Sequence, residues 1–230
     1  MHIIKPQVLV PKEELNRGKM VFLERCARIC YKSEDKIEEE FSPRFMRSIL
    51  SRGHESVIEH EKVTVMFVVD RGISHEIVRH RIGSYSQEST RYCNYSREKF
   101  GQEITVIEPY FLLGKEAYKD WERACLAAEK SYFDMLGKGC SPQEARSVLP
   151  TCLKTEIAVT YNLREWRHFF KLRCAQVAHP QMRQVAIPLL LLFRENFPIL
   201  FEDIDYDADF PVKHYAEIVL TDYLFNPLPL

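Results

Sequence analysis

The sequence predicts one α+β domain over residues 1–230, in which a small and mostly antiparallel sheet packs against helices. Hydrophobic residues make up 46% of the chain, which is enough for a sizeable core, and no repeat, linker or change of composition divides it. Segments 62–70 and 152–161 alternate as strands do, and segments with the apolar periodicity of helices lie around them. This mixture of few strands and many helices favours the α+β class.

The N-terminal segments predict one strand and two helices. Residues 3–10 predict a short strand, which Pro6 places at a sheet edge because proline cannot donate to a strand ladder. Residues 12–31 predict a helix with an apolar face. A second helix begins with Ser42 as its cap and runs to residue 50.

The clearest strand is Lys62–Asp70, which alternates at first and is then apolar throughout. A helix over 73–80 follows it, and the hydroxyl-rich segment 82–97 predicts a loop because it has no apolar period. The remaining predicted elements are helices at 114–136 and 142–148, a strand at 152–161, and helices at Leu163–Arg173 and 182–193, the last kinked near Pro188.

Bulk properties exclude several classes of protein. A net charge of −1 argues against a general nucleic-acid binder, so any anion site has to be a local concentration of arginine. No apolar run reaches the roughly 18 to 20 residues of a membrane span, and the N-terminus lacks the pattern of a secretory signal. Seven scattered cysteines without a CxxC pair indicate reduced thiols. We therefore expect a cytoplasmic protein without membrane or nucleic-acid partners.

Two familiar kinds of site are missing from the sequence. Its eight glycines form no GxGxxG, P-loop or kinase-type loop, so arginines, hydroxyls and helix N-termini would have to bind any nucleotide phosphate. The spacing of His75, Glu76 and His80 is one residue too long for HExxH, and the pair at His54 and His60 misses by two. The spacing therefore predicts no metal site.

The densest group of polar residues is the run RHRIGSYSQESTRY at 79–92. Arg79, His80 and Arg81 stand side by side, and a loop rich in hydroxyl and amide donors follows them. A basic helix end in solvent is the alternative, since cations favour the helix C-terminus. The density of donors after the arginines, with only Glu88 as acidic compensation, favours a site for an anionic ligand.

Two further groups are less specific by themselves. His54 and Ser56 lie in a polar segment between a helix and a strand, which could bind a ligand edge or merely connect the elements. Arg164 and His168 are four residues apart and share one face of a predicted helix that ends near Arg173. Single arginines on helices are usually solvated, so this group alone predicts little.

Taken together, these groups resemble the flavin-dependent thymidylate synthases, the ThyX family. RHRIGSYSQESTRY matches the family signature of RHR, seven residues and a serine, with Ser86 where asparagine is usual. HESVIEH at 54–60, EARSVLP at 144–150, NLREW at 162–166 and AHPQMR at 178–183 match further family segments in register. The resemblance covers roughly residues 50 to 190.

The resemblance implies a reaction and an assembly. Family members convert dUMP to dTMP with methylenetetrahydrofolate as carbon donor, FAD as cofactor and NADPH as reductant, in homotetramers whose FAD sites lie at subunit junctions. By motif position, the residues expected to contact FAD are Ser56, Arg79, His80, Arg81, Gln87, Asn162, Leu163, Arg164 and His168. Those expected to contact dUMP are Glu76, Arg79, Gln87, Glu88, Ser89, Thr90, Arg91, Arg146 and Arg173.

The resemblance also assigns Arg173 the position of the activating arginine. No Pro-Cys-His segment occurs, so the cysteine attack used by folate-only thymidylate synthases has no counterpart in this sequence. An arginine can instead stabilise the negative charge that develops on the uracil ring. Glu76 stands where the family commonly has glutamine and is expected to accept from the sugar hydroxyl, whereas Ser89 is expected to bind phosphate.

Two other functions remain open from the sequence. A catalytically silent nucleotide-binding module could keep the arginine pockets alone. An RNA-binding protein could use the arginines and tyrosines of 79–97 as a stacking surface, although the near-neutral charge argues against this function.

Overall fold

The computed structural model describes residues 1–37 and 41–224, so residues 225–230 of the proline-bearing tail lie outside it. Its strands are β1 His2–Ile4, β2 Gln7–Pro11, β3 Lys62–Asp70, β4 Ser84–Gln87, β5 Thr105–Ile107, β6 Lys154–Asn162 and β7 Glu217–Thr221. Its α-helices are α1 Gly18–Cys30, α2 Pro43–Ser51, α3 Arg71–Ile77, α4 Ala117–Gly137, α5 Pro142–Ala145, α6 Leu163–Arg173, α7 Pro180–Asn196 and α8 Pro198–Phe201. None of these helices is long and apolar enough to cross a membrane.

A five-stranded sheet in the order β4-β6-β3-β2-β7 forms the centre of the fold. Three of its four pairings are antiparallel, and only β2 and β7 run parallel. The predicted small, mostly antiparallel sheet packed with helices is therefore confirmed. The longest pairing joins β3 to β6 along their full lengths, from Lys62 opposite Asn162 to Asp70 opposite Lys154.

The core lies between this sheet and helices α6 and α7. Alternate residues of β6 are buried, as the two-residue period of a strand requires. Phe67 of β3 packs against Trp166 and Phe169 of α6, and Phe193 of α7 packs against Trp166. The indole Nε1 of Trp166 donates to the carbonyl of Val63 at 3.0 Å, so the helix is fixed to the strand by a buried hydrogen bond as well as by apolar contact.

The N-terminal strand differs from its prediction. Lys5 and Pro6 interrupt it, β1 pairs in parallel with β5 in a separate two-stranded sheet, and β2 lies inside the main sheet between β3 and β7. The edge position inferred from Pro6 is thus wrong for β2. Proline falls between the two strands, where no ladder hydrogen bond needs its missing N–H.

Other differences lie at short elements. The predicted helix over 12–31 begins only at Gly18, after a 3-10 turn at Lys12–Leu15. The predicted loop over 82–97 contains the edge strand β4, and neither β5 nor β7 was predicted. These strands have three to five residues each, too few to establish a period, and their pairing partners are distant in sequence.

The ends of two helices matter for the site. Helix α6 spans the predicted residues, and the side chain of Asn162 caps it by accepting from Glu165 N at 2.8 Å. Helix α3 runs only from Arg71 to Ile77, and Asp70 caps it by accepting from Ile73 N at 2.7 Å. The Arg79–Arg81 run therefore lies in the turn after this helix.

Candidate active site

Helices α3 and α6 start at opposite ends of the β3–β6 pair and bring their C-terminal ends together. Asp70 ends β3 and caps α3, whereas Asn162 ends β6 and caps α6. Because the two strands are antiparallel, the helices leave the sheet from opposite ends. Their last turns meet where Arg173 contacts Glu76, residues that are 97 positions apart in the chain.

Arg173 is held by three hydrogen bonds. Its Nη1 donates to Oε2 of Glu76 at 2.7 Å, and its Nη2 donates to the carbonyl of Glu76 at 3.0 Å. Its Nε donates to Nε2 of His80 at 3.1 Å. The predicted activating residue is thus fixed to α3 and to the turn after it, and its side chain stays 19% exposed.

His80 is the buried member of the arginine-rich turn. It is 4% exposed, and its Nδ1 lies 2.9 Å from Oε1 of Glu165, which is itself buried. Burial, followed by the nearby charge of Arg173, lowers the pKa of His80 from its usual value to about 4. Burial raises the pKa of Glu165. At neutral pH the imidazole is therefore uncharged.

Two tyrosines hold the turn between α3 and β4 in place. The hydroxyl oxygens of Tyr85 in β4 and Tyr161 in β6 are 2.9 Å apart. The Tyr161 hydroxyl donates to the carbonyl of Ile77 at 3.1 Å, and the Tyr85 hydroxyl donates to the carbonyl of His80. Gly83 lies against the ring of Tyr161, where an added Cβ would come within 2.3 Å of Cε1. The turn therefore requires glycine at this position.

Gln87 connects β4 to the helix and strand beside it. Its amide Nε2 donates to Oγ of Ser74 at 2.9 Å and to Oγ1 of Thr155 at 3.2 Å, and both of these residues are fully buried. The predicted ligand residue Gln87 is thus positioned by two hydroxyls that the sequence did not indicate. Its carbonyl oxygen Oε1 has no protein partner among the side chains that the structure describes.

Glu88 is engaged within the protein. Its Oε1 accepts from the Tyr95 hydroxyl at 3.0 Å, and its Oε2 accepts from Nζ of Lys154 at 3.2 Å. Its backbone carbonyl accepts from Nη2 of Arg71 at 2.8 Å. Burial, together with the Glu88 carboxylate, raises the pKa of Tyr95, so its hydroxyl keeps its proton. Any contact of Glu88 with dUMP would have to compete with these bonds.

The rest of the signature loop turns back on itself. Backbone N–H groups of Tyr92 and Cys93 donate to the carbonyl of Ser89, at 3.1 and 2.9 Å. Thr90 is buried, and its hydroxyl accepts from Nη1 of Arg146 at 3.4 Å. The structure therefore brings Arg146 to the loop, 56 residues away in sequence, and the two remain predicted to contact dUMP together.

Three arginines of this region remain unpaired. Arg79, Arg81 and Arg91 are exposed, and within the part of the chain that the structure describes none of them makes an ion pair. Arg91 only approaches the ring of Tyr92, at 5.5 Å. Exposed guanidinium groups without carboxylate partners are suited to binding phosphate, since both edges of each fork are free.

A cavity of about 510 Å³ lies beside α6 and the 3-10 turn Glu55–His60. Its lining includes Glu55, Glu59, Asn162, Arg164, His168 and Lys171. Arg164 donates to Oε1 of Glu59 at 2.5 Å, and the predicted contact Ser56 is exposed on the same turn. The cavity is also lined by three carboxylates, those of Glu55, Glu59 and Glu165, and Arg164 pairs with the first two. Its size fits part of a phosphate-bearing cofactor, and binding of a phosphate by Arg164 would require exchange of these carboxylate partners.

Leu163 and Asn162 contribute mainly to structure here. The Leu163 side chain is wholly buried, and its backbone N–H donates to the carbonyl of Glu61 at 2.9 Å. The side-chain oxygen of Asn162 is used in capping α6. Contacts of Leu163 with a cofactor would therefore have to come from its backbone, and those of Asn162 from its amide nitrogen.

His80, Glu165 and His168 present one potential metal-ligand atom each within 4.8 Å of one another. Both ring nitrogens of His80 already take part in hydrogen bonds, and Arg173 donates to one of them. A cation bound there would lie next to a guanidinium group, which is electrostatically unfavourable. The cluster is therefore better explained as a hydrogen-bond network than as a metal centre.

Sequence reasoning did not identify Glu165, Tyr85, Tyr161, Ser74 or Thr155 as parts of the site. Glu165 stands at helical spacing from predicted residues, three after Asn162 and three before His168, but this spacing does not distinguish a buried carboxylate from an exposed one. The others are distinguished by burial and by contacts between distant segments. Such contacts leave no local pattern in the sequence.

Comparisons with known proteins identify the family that this chain resembles. The family model described as "Thymidylate synthase complementing protein" matches residues 16–199. A protein of Geobacter sulfurreducens named flavin-dependent thymidylate synthase is 36% identical over 184 residues, which cover 77% of this chain and 78% of that protein. One of the same name from Mycobacterium sp. (strain KMS) is 30% identical over 234 residues, covering 92% and 89% of the two chains.

A solved structure shares the fold. It is the UMP/dUMP methylase PolB from Streptomyces cacaoi bound with 5-Br dUMP, with a TM-score of 0.70. The match covers 88% of this chain and 96% of that one at 20% sequence identity. At this identity the likeness concerns the fold alone.

Proposed function

Because the chain belongs to the flavin-dependent thymidylate synthase family, it is an FAD-dependent enzyme that methylates dUMP to dTMP, and we propose which of its residues bind and activate the substrate. Methylenetetrahydrofolate is the carbon donor and NADPH the reductant in this reaction. The proposal concerns the meeting point of α3, the signature loop and α6.

The observation that carries the proposal is the contrast between one fixed arginine and several free ones. Arg173 is held by three hydrogen bonds at the end of α6, whereas Arg79 and Arg91 are exposed without carboxylate partners among the described residues. Exposed guanidinium groups can adjust to a phosphate as it binds. A fixed guanidinium is suited to stabilising the negative charge that develops on the uracil ring. We assign phosphate binding to the loop together with Arg146, and activation of the uracil ring to Arg173.

Glu76 belongs to the activating group in this proposal. Its Oε2 accepts from Arg173, which leaves its second carboxylate oxygen for the sugar hydroxyl of dUMP. A glutamate can make both contacts at once because it offers two acceptor oxygens. Gln87, held by Ser74 and Thr155, presents its free amide oxygen toward the same substrate.

The flavin is assigned to the cavity beside α6. Arg164, His168 and Lys171 line it, and Ser56 and Arg81 lie exposed in the neighbouring turns. When bound, reduced FAD supplies the hydride that completes the methyl group. The cationic side chains would hold its phosphates, and Arg164 would leave Glu59 to do so.

We also infer a cytoplasmic homotetramer with shared active sites. The predicted ligand residues Ser56, Arg79 and Arg91 are exposed in three separate turns. A cofactor at a junction between subunits could collect such residues from neighbouring chains. All seven cysteines are free thiols, which is compatible with a reducing compartment.

The test of the assignment is Arg173→Ala. We expect the variant to keep its flavin absorption band near ~450 nm and to lose about 10²–10³-fold in dTMP formation, since a preorganised charge has been removed. Arg123→Ala on the exposed face of α4 is the matched control and should keep its activity. Turnover by Arg173→Ala at the wild-type rate would contradict the assignment.

A further inference from the structure

Behind Arg173 lies a buried carboxylate, Glu165, which also lines the cavity beside α6 that we assign to the flavin. We propose that Glu165 is a positioning residue of this enzyme, which acts through His80 to fix the orientation of the Arg173 guanidinium. The inference rests on the activating role proposed for Arg173. The contact through His80 explains why the Arg173 guanidinium keeps one orientation.

The three side chains form a continuous chain of hydrogen bonds. Oε1 of Glu165 lies 2.9 Å from Nδ1 of His80, and Nε2 of His80 accepts from Nε of Arg173 at 3.1 Å. Glu165 is 7% exposed and His80 is 4% exposed, so water cannot readily replace either contact. The cap of α6 fixes Glu165 itself, because its backbone N–H donates to Asn162.

The chain has a direction that follows from the chemistry of arginine. Arginine Nε can only donate, so Nε2 of His80 has to be the acceptor and has to carry no proton. A neutral imidazole then carries its proton on Nδ1, which needs an acceptor such as a carboxylate oxygen beside it. Glu165 supplies that oxygen. In the other tautomer, two N–H groups would point at each other between His80 and Arg173.

The charges that face His80 support the same protonation state. Arg173 approaches from the end of α6 and His168 from its middle, with ring centroids of the two histidines 5.4 Å apart. The hydroxyls of Tyr85 and Tyr161 lie behind the turn and keep their protons, since burial raises the pKa of both. Protonation of His80 beside the Arg173 charge is thus unfavourable, and the imidazole remains an acceptor for the guanidinium.

Fixing Nε leaves a defined part of Arg173 for a ligand. Three of the five guanidinium N–H groups are used, one toward His80 and two toward Glu76, which leaves 5 − 3 = 2 for the substrate. If the His80 contact is lost, the guanidinium can rotate about the remaining contacts with Glu76. The two free donors would then no longer be preorganised toward the uracil ring.

The variant that tests the inference is Glu165→Gln, which keeps the size of the side chain. Its amide can donate to Nδ1 as well as accept from it, so residue 165 no longer selects one tautomer and only the contact with Arg173 still favours it. With FAD loading verified by absorbance, we expect kcat/KM for dUMP to fall by about tenfold. In the Arg173→Ala background, the same replacement should change the residual rate by less than about twofold, because coupled residues are not additive.

A spectroscopic measurement reports on the tautomer itself. In the ¹⁵N spectrum of ring-labelled protein, His80 should show a protonated Nδ1 and an unprotonated Nε2 in the wild type, and a mixture of tautomers in Glu165→Gln. His80→Gln provides a second variant that breaks the chain at its centre. It should lose a similar factor in kcat/KM, and adding Glu165→Gln to it should cost little more.

The control is Glu24→Gln, another buried carboxylate, which pairs with Arg28 on α1 away from the site. It should lower stability and leave kcat/KM unchanged. If Glu165→Gln keeps the wild-type kcat/KM while Arg173→Ala is inactive, Glu165 has no positioning role, although the activating role of Arg173 stands. The same conclusion follows if Glu165→Gln lowers kcat/KM by an equal factor in the wild type and in Arg173→Ala. Wild-type turnover by Arg173→Ala would overturn the activating role and this inference together.

Discussion

Residues of the candidate site differ in how firmly they are held before any ligand arrives. Arg173 and Gln87 are fixed by partners in α3 and β6, and the exposed guanidinium of Arg91 contacts only a neighbouring ring. Fixed groups lose little conformational freedom when a ligand binds, whereas free ones adapt to it at an entropic cost. Substrate affinity and substrate activation should therefore respond differently to substitution.

Arg91→Ala and Arg146→Ala should each weaken dUMP binding without abolishing it. Loss of a charge-assisted hydrogen bond costs roughly 1.5–3 kcal/mol, or about tenfold to a hundredfold in Kd. Isothermal titration of the flavin-loaded protein with dUMP measures the change. Arg52→Ala, exposed at the end of α2, is the control and should bind as the wild type does. Unchanged affinity in both site variants would exclude them from the phosphate site.

His80 should make the folded state sensitive to acid. Its pKa lies near 4 in the folded protein and near 6.5 in the unfolded chain, so the unfolded chain binds more protons between these values. The folded state loses no stability through this residue above about pH 6.5, and it loses stability as the pH falls toward 4. At pH 5 the loss is on the order of 2 kcal/mol. The raised pKa of Glu165 acts in the opposite sense in part of that range.

Comparison with His80→Gln isolates the histidine, since this variant keeps Glu165. Urea unfolding at pH 7 and pH 5 should show a larger loss of stability for the wild type than for the variant. Equal losses would mean that His80 is protonated to the same degree in the folded and unfolded chains.

At the residue scale, the sequence indicated the arginines through the spacing of their motif. It did not indicate Glu165, because its importance depends on a partner 85 positions away. A carboxylate between Asn162 and His168 on a helix is compatible with solvent exposure as well as with burial. Whether Glu165 is exposed or buried depends on how α6 packs against the sheet, and the residues near Glu165 in the sequence do not indicate this packing.

Among the elements, α6 connects the site to the C-terminal part of the chain. Arg167 is buried beside the cavity that α6 lines, where it donates to both oxygens of Asp203 at 2.7 Å and to Glu55 at 3.1 Å. The hydrogen bonds from Arg167 hold the pKa of the Asp203 carboxyl below its usual range. One side chain thus joins α6, the 55–60 turn and the segment after α8.

Arg167→Met should destabilise the fold by roughly 2–3 kcal/mol. Loss of a buried ionic partner leaves Asp203 and Glu55 without the cation that they share. The partial exposure of Asp203 and the ion pairs of Glu55 with Arg164 and Lys171 moderate the cost. The midpoint of urea unfolding measures it. Arg164→Met, half exposed on the same helix, is the matched control and should change stability by less than about 1 kcal/mol. Equal effects would show that burial of Arg167 contributes nothing.

Elements with long, regular patterns were predicted from the sequence with little error. Strand β3 and helix α6 have the predicted bounds, because each carries a full period and a cap or turn at its end. Strands β4 and β7 were missed, since their residues form strands only by pairing with β6 and β2. Their stability is a property of the sheet rather than of their own residues.

For the whole molecule, the separation of the predicted ligand residues is the leading observation. Ser56 lies in the turn beside α6. Arg91 lies in the loop that follows β4, and Arg146 contacts this loop through Thr90. The assembly that we propose would bring such regions of different chains to one site. Complementation between inactive variants can establish whether the sites are shared.

Ser56→Trp and Arg173→Ala should each be inactive as homotetramers and should recover activity when refolded together. If the two residues reach one site from different chains, mixed tetramers contain some sites with neither change. Activity is measured as dTMP formed per mixed tetramer, with tetramers isolated by differential tags. A monomeric mass in solution, or demonstrably mixed tetramers without activity, would refute shared sites.

The contact between Gly83 and the Tyr161 ring has a consequence for how this sequence can diverge. Ile82, one residue before, is 68% exposed at the edge of the cavity beside α6, where another apolar side chain can take its place. At Gly83 even a methyl group would have to displace an aromatic ring whose hydroxyl supports the end of α3. Substitutions should therefore be accepted at position 82 among apolar residues and be rejected at position 83, so that two adjacent residues in one loop evolve at different rates.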